Sequence, residues 1–189
     1  MKPVEELKEE HRAIKTIARI LLEISRRLEA GESPEVKDLN DIIDFLKVFA
    51  ESCHHRKEEK FLFPALEKAG ILREEGPVGV ILKDHECGRG MAREMEEALD
   101  RMIRGEERAG LNFARQARAY AELLLNHIEK EDNILFPLAE NHLSQKTQTD
   151  LGKVFKKIEK EIAGAGLHRI FERLLDRLEE KYLRNEGSP

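Results

Sequence analysis

A chain of 189 residues is long enough for one domain with a sizeable core, and 38% of it is charged against a usual ~25%. Glu, Lys, Arg, Leu and Ala dominate, with only six prolines and no tryptophan, which favours a mostly helical protein. The net charge of −5, with no basic stripe interleaved with aromatics, excludes general attraction to nucleic acid or anionic membrane. Two cysteines cannot build a disulfide framework. No apolar run approaches the ~20 residues needed to cross a bilayer, so the expected location is cytoplasmic.

Apolar residues recur at steps of three and four in four long segments, the signal of amphipathic helices. The first segment runs from Pro3 to Glu29, with Leu7, Ile14, Ala18, Leu21 and Leu28 near one face, and Gly31 closes it. The second opens at SPEV, with Ser33 as the cap and Pro34 in the first helical position, and runs to about Lys68 before Ala69 and Gly70 end it. A loop of Gly76, Pro77 and Gly79 leads to the third helix, about 78 to 103, and Arg104 and Gly105 lead to the fourth, about 107 to 141. Short connections between helices of similar length imply antiparallel neighbours. The expected fold is therefore all-α, an up-down-up-down four-helix bundle. Two more amphipathic helices are expected, at 149–163 with Leu151, Phe155, Ile158 and Ile162, and at 167–183 with Leu167, Ile170, Leu174 and Leu178, split by AGAG at 163–166.

The chain also repeats itself. HHRKEEKFLFP at 54–64 aligns without gaps on HIEKEDNILFP at 127–137, so His54 matches His127, Glu58 matches Glu131 and Pro64 matches Pro137, each 73 residues apart. His55 falls opposite Ile128. Upstream, LKEEH at 7–11 resembles LKDH at 82–85, which sets His11 against His85. The molecule reads as two copies of one helical hairpin, each with a histidine on its first helix and His-x-x-x-Glu on its second. Residues four apart share a helix face, and these faces also carry Ile43, Ala50, Phe61 and Ala65 in one copy and Leu124, Ile134 and Leu138 in the other. Such neighbours turn the face inward. Four imidazoles and two carboxylates then meet in the bundle core, where they are costly unless paired or metal-bound. Imidazole with carboxylate suits iron, manganese or zinc, and carboxylates shared by two metals recur inside helical bundles. The expected assembly gives each metal two of His11, His54, His85 and His127, with Glu58 and Glu131 bridging.

On EHR at 10–12, HHRKEEKFLFP, DHE at 84–86 and HIEKEDNILFP, the chain resembles the hemerythrin-like, or HHE cation-binding, family over about residues 3–143. The resemblance implies a hemerythrin-like four-helix bundle over 1–143 that holds two non-haem iron ions bridged by oxo or hydroxo, with Zn or Mn also acceptable to the ligand set. It implies binding of dioxygen or a related diatomic such as nitric oxide; members of the family are oxygen carriers, oxygen or iron sensors, iron-repair proteins and peroxide-handling proteins. Oxygen-carrying members use five histidines, with His-x-x-x-His on the third helix, whereas position 81 here is Ile and position 89 is Arg. Glu10, His55, Glu59, Glu86, Asp132 or water can fill the replaced position. On the fourth helix those members use His and, five residues on, Asp. Both Glu131 and Asp132 are present here, and the repeat favours Glu131.

The remaining candidates have blander readings. His55, without a repeat partner, reads as a surface residue or as support behind a ligand. Glu59 and Asp132 accept a hydrogen bond from a ligand histidine or face solvent. Cys53 and Cys87 point about 100° and 200° away from the adjacent ligand histidines and read as buried, inert thiols. Tyr120 packs with its hydroxyl bonded, or serves as a proton donor to a bound ligand. His142 and His168 are ordinary surface or interface histidines. Leu7, Ile14, Phe61, Leu124 and Ile134 are expected to line the site. Residues 144–189 form a helical extension that packs on the bundle or joins a homodimer or protein partner. Three functions fit these residues: a di-iron protein binding dioxygen or nitric oxide for sensing, storage or stress response; a peroxide-consuming or oxidising di-iron enzyme; and a metal-responsive protein-interaction module.

Overall fold

Glycines in the left-handed region, Gly31 at φ +81° and Gly105 at φ +73°, stop two of the long amphipathic segments and turn the chain back. The computed structural model describes residues 2–74, 76–163 and 167–184, and among them finds six helices and no strand. They are α1 (Pro3–Glu29), α2 (36–68), α3 (Pro77–Ile103), α4 (109–142), α5 (Gln145–Ala163) and α6 (Leu167–Tyr182). Helix α1 packs on α4, α4 on α3, α3 on α2 and α2 on α1, which closes a four-helix ring. The all-α bundle with two extra C-terminal helices is therefore the observed fold. None of the described helices is long and apolar enough to cross a membrane.

Several ends differ from expectation by a few residues. Helix α2 starts at Val36 behind Glu35, because the first turn closes on the Glu35 carbonyl, so Ser33 does not cap it. Helix α5 starts at Gln145 rather than 149, since the Ser144 hydroxyl accepts the Thr147 backbone N–H at 3.2 Å and supplies the cap. The break at 164–166 and the side chains of Leu167 and His168 lie outside the described residues.

Helices α2 and α4 are not regular α-helices throughout. Leu46–His55, Glu58–Leu62 and Glu131–Leu135 are wound as π-helix, with i→i+5 bonding. A wider turn after each glutamate moves the inward face along by one residue. Leu62 and Leu66, not Phe61 and Ala65, are fully buried, and Leu135 and Ala139 replace Ile134 and Leu138. Ile134 is 52% exposed. The same correction occurs in both repeats for the same reason, so Phe61 and Ile134 do not form the lining expected of them.

The core is in two apolar parts. One contains Ile14, Ala18, Leu21, Ala50 and Leu124. The other contains Leu7, Leu62, Phe63, Ile81, Leu135 and Phe136. In sequence the histidines and glutamates fall between these two sets on every helix, which places a polar layer between two dry ones. Burying each such Leu, Ile or Phe is worth ~1.5–3 kcal/mol, and that burial holds the four helices at a spacing the polar groups must accept. The C-terminal helices add to both parts: Leu151 and Phe155 of α5 to the second, Phe171, Leu178 and Tyr182 of α6 to the first. Helix α6 turns Phe171 inward, and Ile170, expected there, is 60% exposed.

Candidate metal centre

All six residues singled out by the repeat, His11, His54, Glu58, His85, His127 and Glu131, are buried and meet in the polar layer. Helix α1 contributes His11, α2 His54 and Glu58, α3 His85, and α4 His127 and Glu131. The imidazoles fall into two pairs, with Nε2 of His11 3.1 Å from Nε2 of His54 and Nε2 of His85 3.2 Å from Nε2 of His127. Between the pairs lie the carboxylates. Glu131 Oε2 is 3.1 Å from His11 Nε2 and 3.2 Å from His127 Nε2, while Glu58 reaches His54 with Oε1 at 3.6 Å and His85 with Oε2 at 3.5 Å. Each carboxylate therefore spans both pairs.

Behind the ring lies a second layer of acids. His11 Nδ1 donates to Asp132, His54 Nδ1 to Glu10 and His85 Nδ1 to Glu59, each at 2.8 Å. His127 Nδ1 is 3.6 Å from Asp84, too far for a hydrogen bond. A carboxylate only accepts, so the three bonded imidazoles carry a proton on Nδ1 and turn Nε2 inward. Each acid is held in turn by a cation: Asp132 by Lys15, Glu10 by Lys57, Glu59 by Arg89 and Asp84 by Lys130. Glu59 and Asp132 thus accept from His85 and His11, one of the two roles read from their matching positions. Glu86 is exposed and holds none of these histidines.

His55, read from the sequence as a surface residue, as support behind a ligand or as one candidate for the replaced position, is not on the surface. It is 6% exposed, its ring stacks on His85 with centroids 3.9 Å apart, and its Nδ1 donates to Glu51 at 2.9 Å. Adjacent residues on a helix point about 100° apart, so His54 and His55 can straddle the inward direction, one toward each imidazole pair. The wound-out turn ending at His55 sets that angle. Two donor groups result, each with ligand atoms mutually within 4.8 Å: His11, His54, Glu58 and Glu131, and His55, Glu58, His85 and His127. Glu58 belongs to both. The acid on His55, Glu51, is held by Arg89 at 2.8 Å, so one guanidinium anchors both Glu51 and Glu59. Position 89 thus supports two histidines from outside instead of supplying one.

The charges fit a cationic guest. Both oxygens of Glu58 and both of Glu131 are buried without a hydrogen-bond partner, a costly state for a carboxylate. Burial, then neighbouring imidazoles, push His54 well below its usual value and His85 down to about 4. Burial also disfavours charge on His11 and His127, yet Asp132 and Glu131 raise His11, and Glu131 and Asp84 raise His127 to about 9. Burial and the nearby Glu131 raise Glu58, whereas the imidazolium rings of His127 and His11 outweigh burial to lower Glu131. The opposed shifts of Glu58 and Glu131 show that this layer favours positive charge beside its carboxylates, where a metal's charge would stand.

Other expectations resolve singly. Cys53 is buried and its thiol is pushed up to about 12, chiefly by burial, so it is inert. Cys87 is exposed, because two residues past His85 the α3 surface has turned to solvent. His142 is exposed and donates to the Leu138 carbonyl at 2.9 Å. Tyr120 is buried as expected, and its hydroxyl makes no hydrogen bond to another described residue, so the bonded half of the packing reading is not met while the donor reading stays untested. Lys57 was not foreseen at all. It is fully buried, with Nζ 2.6 Å from Glu6, 2.5 Å from Glu10 and 3.0 Å from Glu159 of α5, beneath the Phe155 ring. Its position three residues after His54 was the available signal.

A helical bundle whose polar layer is built from paired histidines and shared glutamates is hemerythrin-like, and the hemerythrin HHE cation-binding domain model matches residues 2–139. The chain belongs to that family. It is similar to the uncharacterized proteins Rv1995 of Mycobacterium tuberculosis and Mb2018 of Mycobacterium bovis, 28% identical to each over 173 residues, which cover 91% of this chain and 67% of theirs. No solved structure matches it. Family and site together point to metal binding.

Proposed function

We propose that this protein is a non-haem di-iron protein that binds dioxygen or nitric oxide for sensing, storage or stress response. The observation that carries the reading is the pair of donor groups sharing Glu58, with both oxygens of Glu58 and both of Glu131 buried and without a hydrogen-bond partner. His11, His54, Glu58 and Glu131 would hold one ion, and His55, His85, His127 and Glu58 the other, with Glu131 beside both. Imidazole and carboxylate donors fit iron, and also accept zinc or manganese.

When bound, a reduced iron pair supplies two electrons to dioxygen or an open position to nitric oxide. The protein's own contribution is preorganisation. Asp132, Glu10, Glu59 and Glu51 fix the histidine tautomers and orientations before any metal arrives. Phe136 stacks on His11 at 5.2 Å and Phe63 on His85 at 6.0 Å, and with Leu7 and Leu62 they keep water from the carboxylates. A five-histidine complement, completed by His55 on α2, supports ligand binding over a site left permanently watered.

The test is metal content followed by spectroscopy. The protein loaded anaerobically is expected to retain two ferrous ions, and exposure to air or nitric oxide is expected to produce a new visible absorption. Failure to hold two irons refutes the reading.

A second reading, metal-responsive interaction, rests on one connection: His54, Glu10, Lys57 and Glu159 link the centre to α5 in three polar contacts. Slower amide exchange along α5 on metal loading supports it, and unchanged exchange refutes it.

A further inference from the structure

On the outside of the bundle, α2 and α6 meet along a groove of about 760 Å³. The two helices run antiparallel: Arg177 reaches Asp41 at 2.7 Å, while Phe171, earlier in α6, packs on Phe45 and Phe49, later in α2. Each wall of the groove therefore comes from one helix, with Asp41, Asp44 and Val48 on the α2 side level with Arg177, Arg173 and Ile170 on the α6 side. At one end the charges are already paired, since Asp41 takes both Lys37 and Arg177. One helical turn on, Asp44 and Arg173 are exposed and make no ion pair or hydrogen bond with a described residue. Beyond them the groove is apolar and uncovered, with Ile170 60% exposed and Val48 and Leu174 half-buried. An open apolar strip beside unpaired charges of both signs is the character of a contact surface.

We infer that this groove is the contact between two copies of the chain. A surface with an acid on one wall and a base at the same height on the other is complementary to itself, as an isologous contact requires. A two-fold axis along the groove lays α2 of each copy over α6 of the other without changing height, so Asp44 of each copy meets Arg173 of the other. One turn further along, Val48 and Ile170 cover each other. A two-fold axis across the groove would instead set α2 on α2 and α6 on α6, acid against acid and base against base, so charge selects the first arrangement. From Lys37 to Val48 the α2 wall is about 17 Å long, and two helices side by side present roughly 20 Å of width. The area covered is on the order of several hundred Å² per copy, the low end for a specific contact, and corresponds to micromolar dissociation. No residue of the groove belongs to either donor group, so the inference stands apart from the metal reading.

Sedimentation equilibrium of the full chain, with a chelator present, is expected to show monomer and dimer exchanging in the micromolar range. Asp44→Arg alone sets base against base at both charge contacts, and Arg173→Asp alone sets acid against acid, so each is expected to weaken the dimer about tenfold or more. Mixed in equal amounts, the two variants are expected to recover the wild-type association, because every charge contact in the mixed dimer then joins an acid to a base. A charge pair confined to one copy could not produce that recovery. Ile170→Ser is expected to weaken the dimer as well. All three positions are exposed, and circular dichroism is expected to show each variant as helical as wild type. A chain that stays monomeric throughout the series overturns the inference. So does a dimer that survives both charge reversals, or a mixture as monomeric as its components.

Discussion

Replacing Lys57 by methionine tests whether the buried ammonium underpins the centre. It lies between Glu6, Glu10 and Glu159 at 2.5–3.0 Å and is fully buried. Removing one partner of a buried ion pair costs about 3–5 kcal/mol, because the other charge is stranded. Glu159 is 27% exposed and can turn toward water, so Glu6 and Glu10, 8% and 5% exposed, carry most of that cost. Burial already pushes Glu10 up to about 7 against the attraction of the ammonium, so in the variant Glu10 takes up a proton at neutral pH and recovers part of the loss. The expected destabilisation is about 3 kcal/mol at pH 7, or roughly 6–12 °C in Tm for a chain of this size. Urea denaturation with a chelator present measures it free of metal linkage. Adding Glu6→Gln and Glu10→Gln to Lys57→Met should recover at least half of the loss by removing the stranded charges. A single variant within about 1 kcal/mol of wild type, or a triple variant no better than the single one, refutes the reasoning.

Three further outcomes are expected. His55→Ala should lower metal content from about two ions per chain toward one, while His142→Ala leaves it unchanged; atomic absorption after gel filtration decides, and full retention returns His55 to a supporting role. Arg89→Met frees both Glu51 and Glu59, so metal affinity should fall roughly 10–100-fold, measured by chelator competition, and an unchanged affinity would show that those acids hold their histidines unaided. Helix α6 should loosen in acid. Burial alone would raise the Asp38 carboxyl, but Lys181, Arg177 and Tyr182 bond to it and hold it below 3.8, with Glu35 and Asp41 sharing the same cations. A carboxyl depressed on folding adds stability above its unfolded value, ~3.9, and loses it as pH falls below that. Amide exchange over 167–182, corrected for its intrinsic rate, should therefore accelerate between pH 5 and pH 3 in wild type and change less in Asp38→Asn.

Much of this molecule is legible from the chain alone. The 73-residue repeat and the three-and-four spacing of apolar residues locate the four helices, the inward histidines and the two glutamates, because those features rest on helical periodicity. What escapes is whatever depends on a change of that period. Two π-wound stretches shift the lining from Phe61 to Leu62 and from Ile134 to Leu135, and nothing in the residue types flags the extra residue in the turn. The repeat, with Ile128 opposite His55, leaves the place of His55 open, and the long widened stretch at Leu46–His55, carried by α2 alone, is what distinguishes the two hairpins there. Lys57 and Arg89 pair with carboxylates of other helices, a tertiary event that spacing along the chain does not announce.

The division of donors between hairpins has a consequence for folding. The first donor group draws on α1 and α2 but also needs Glu131 from α4, and the second draws on α3 and α4 but also needs His55 and Glu58 from α2. Neither half of the chain can complete a coordination set alone. An ion held by either group would act as a clasp across the seam between the two repeated halves, and its binding energy would fall on the assembled state.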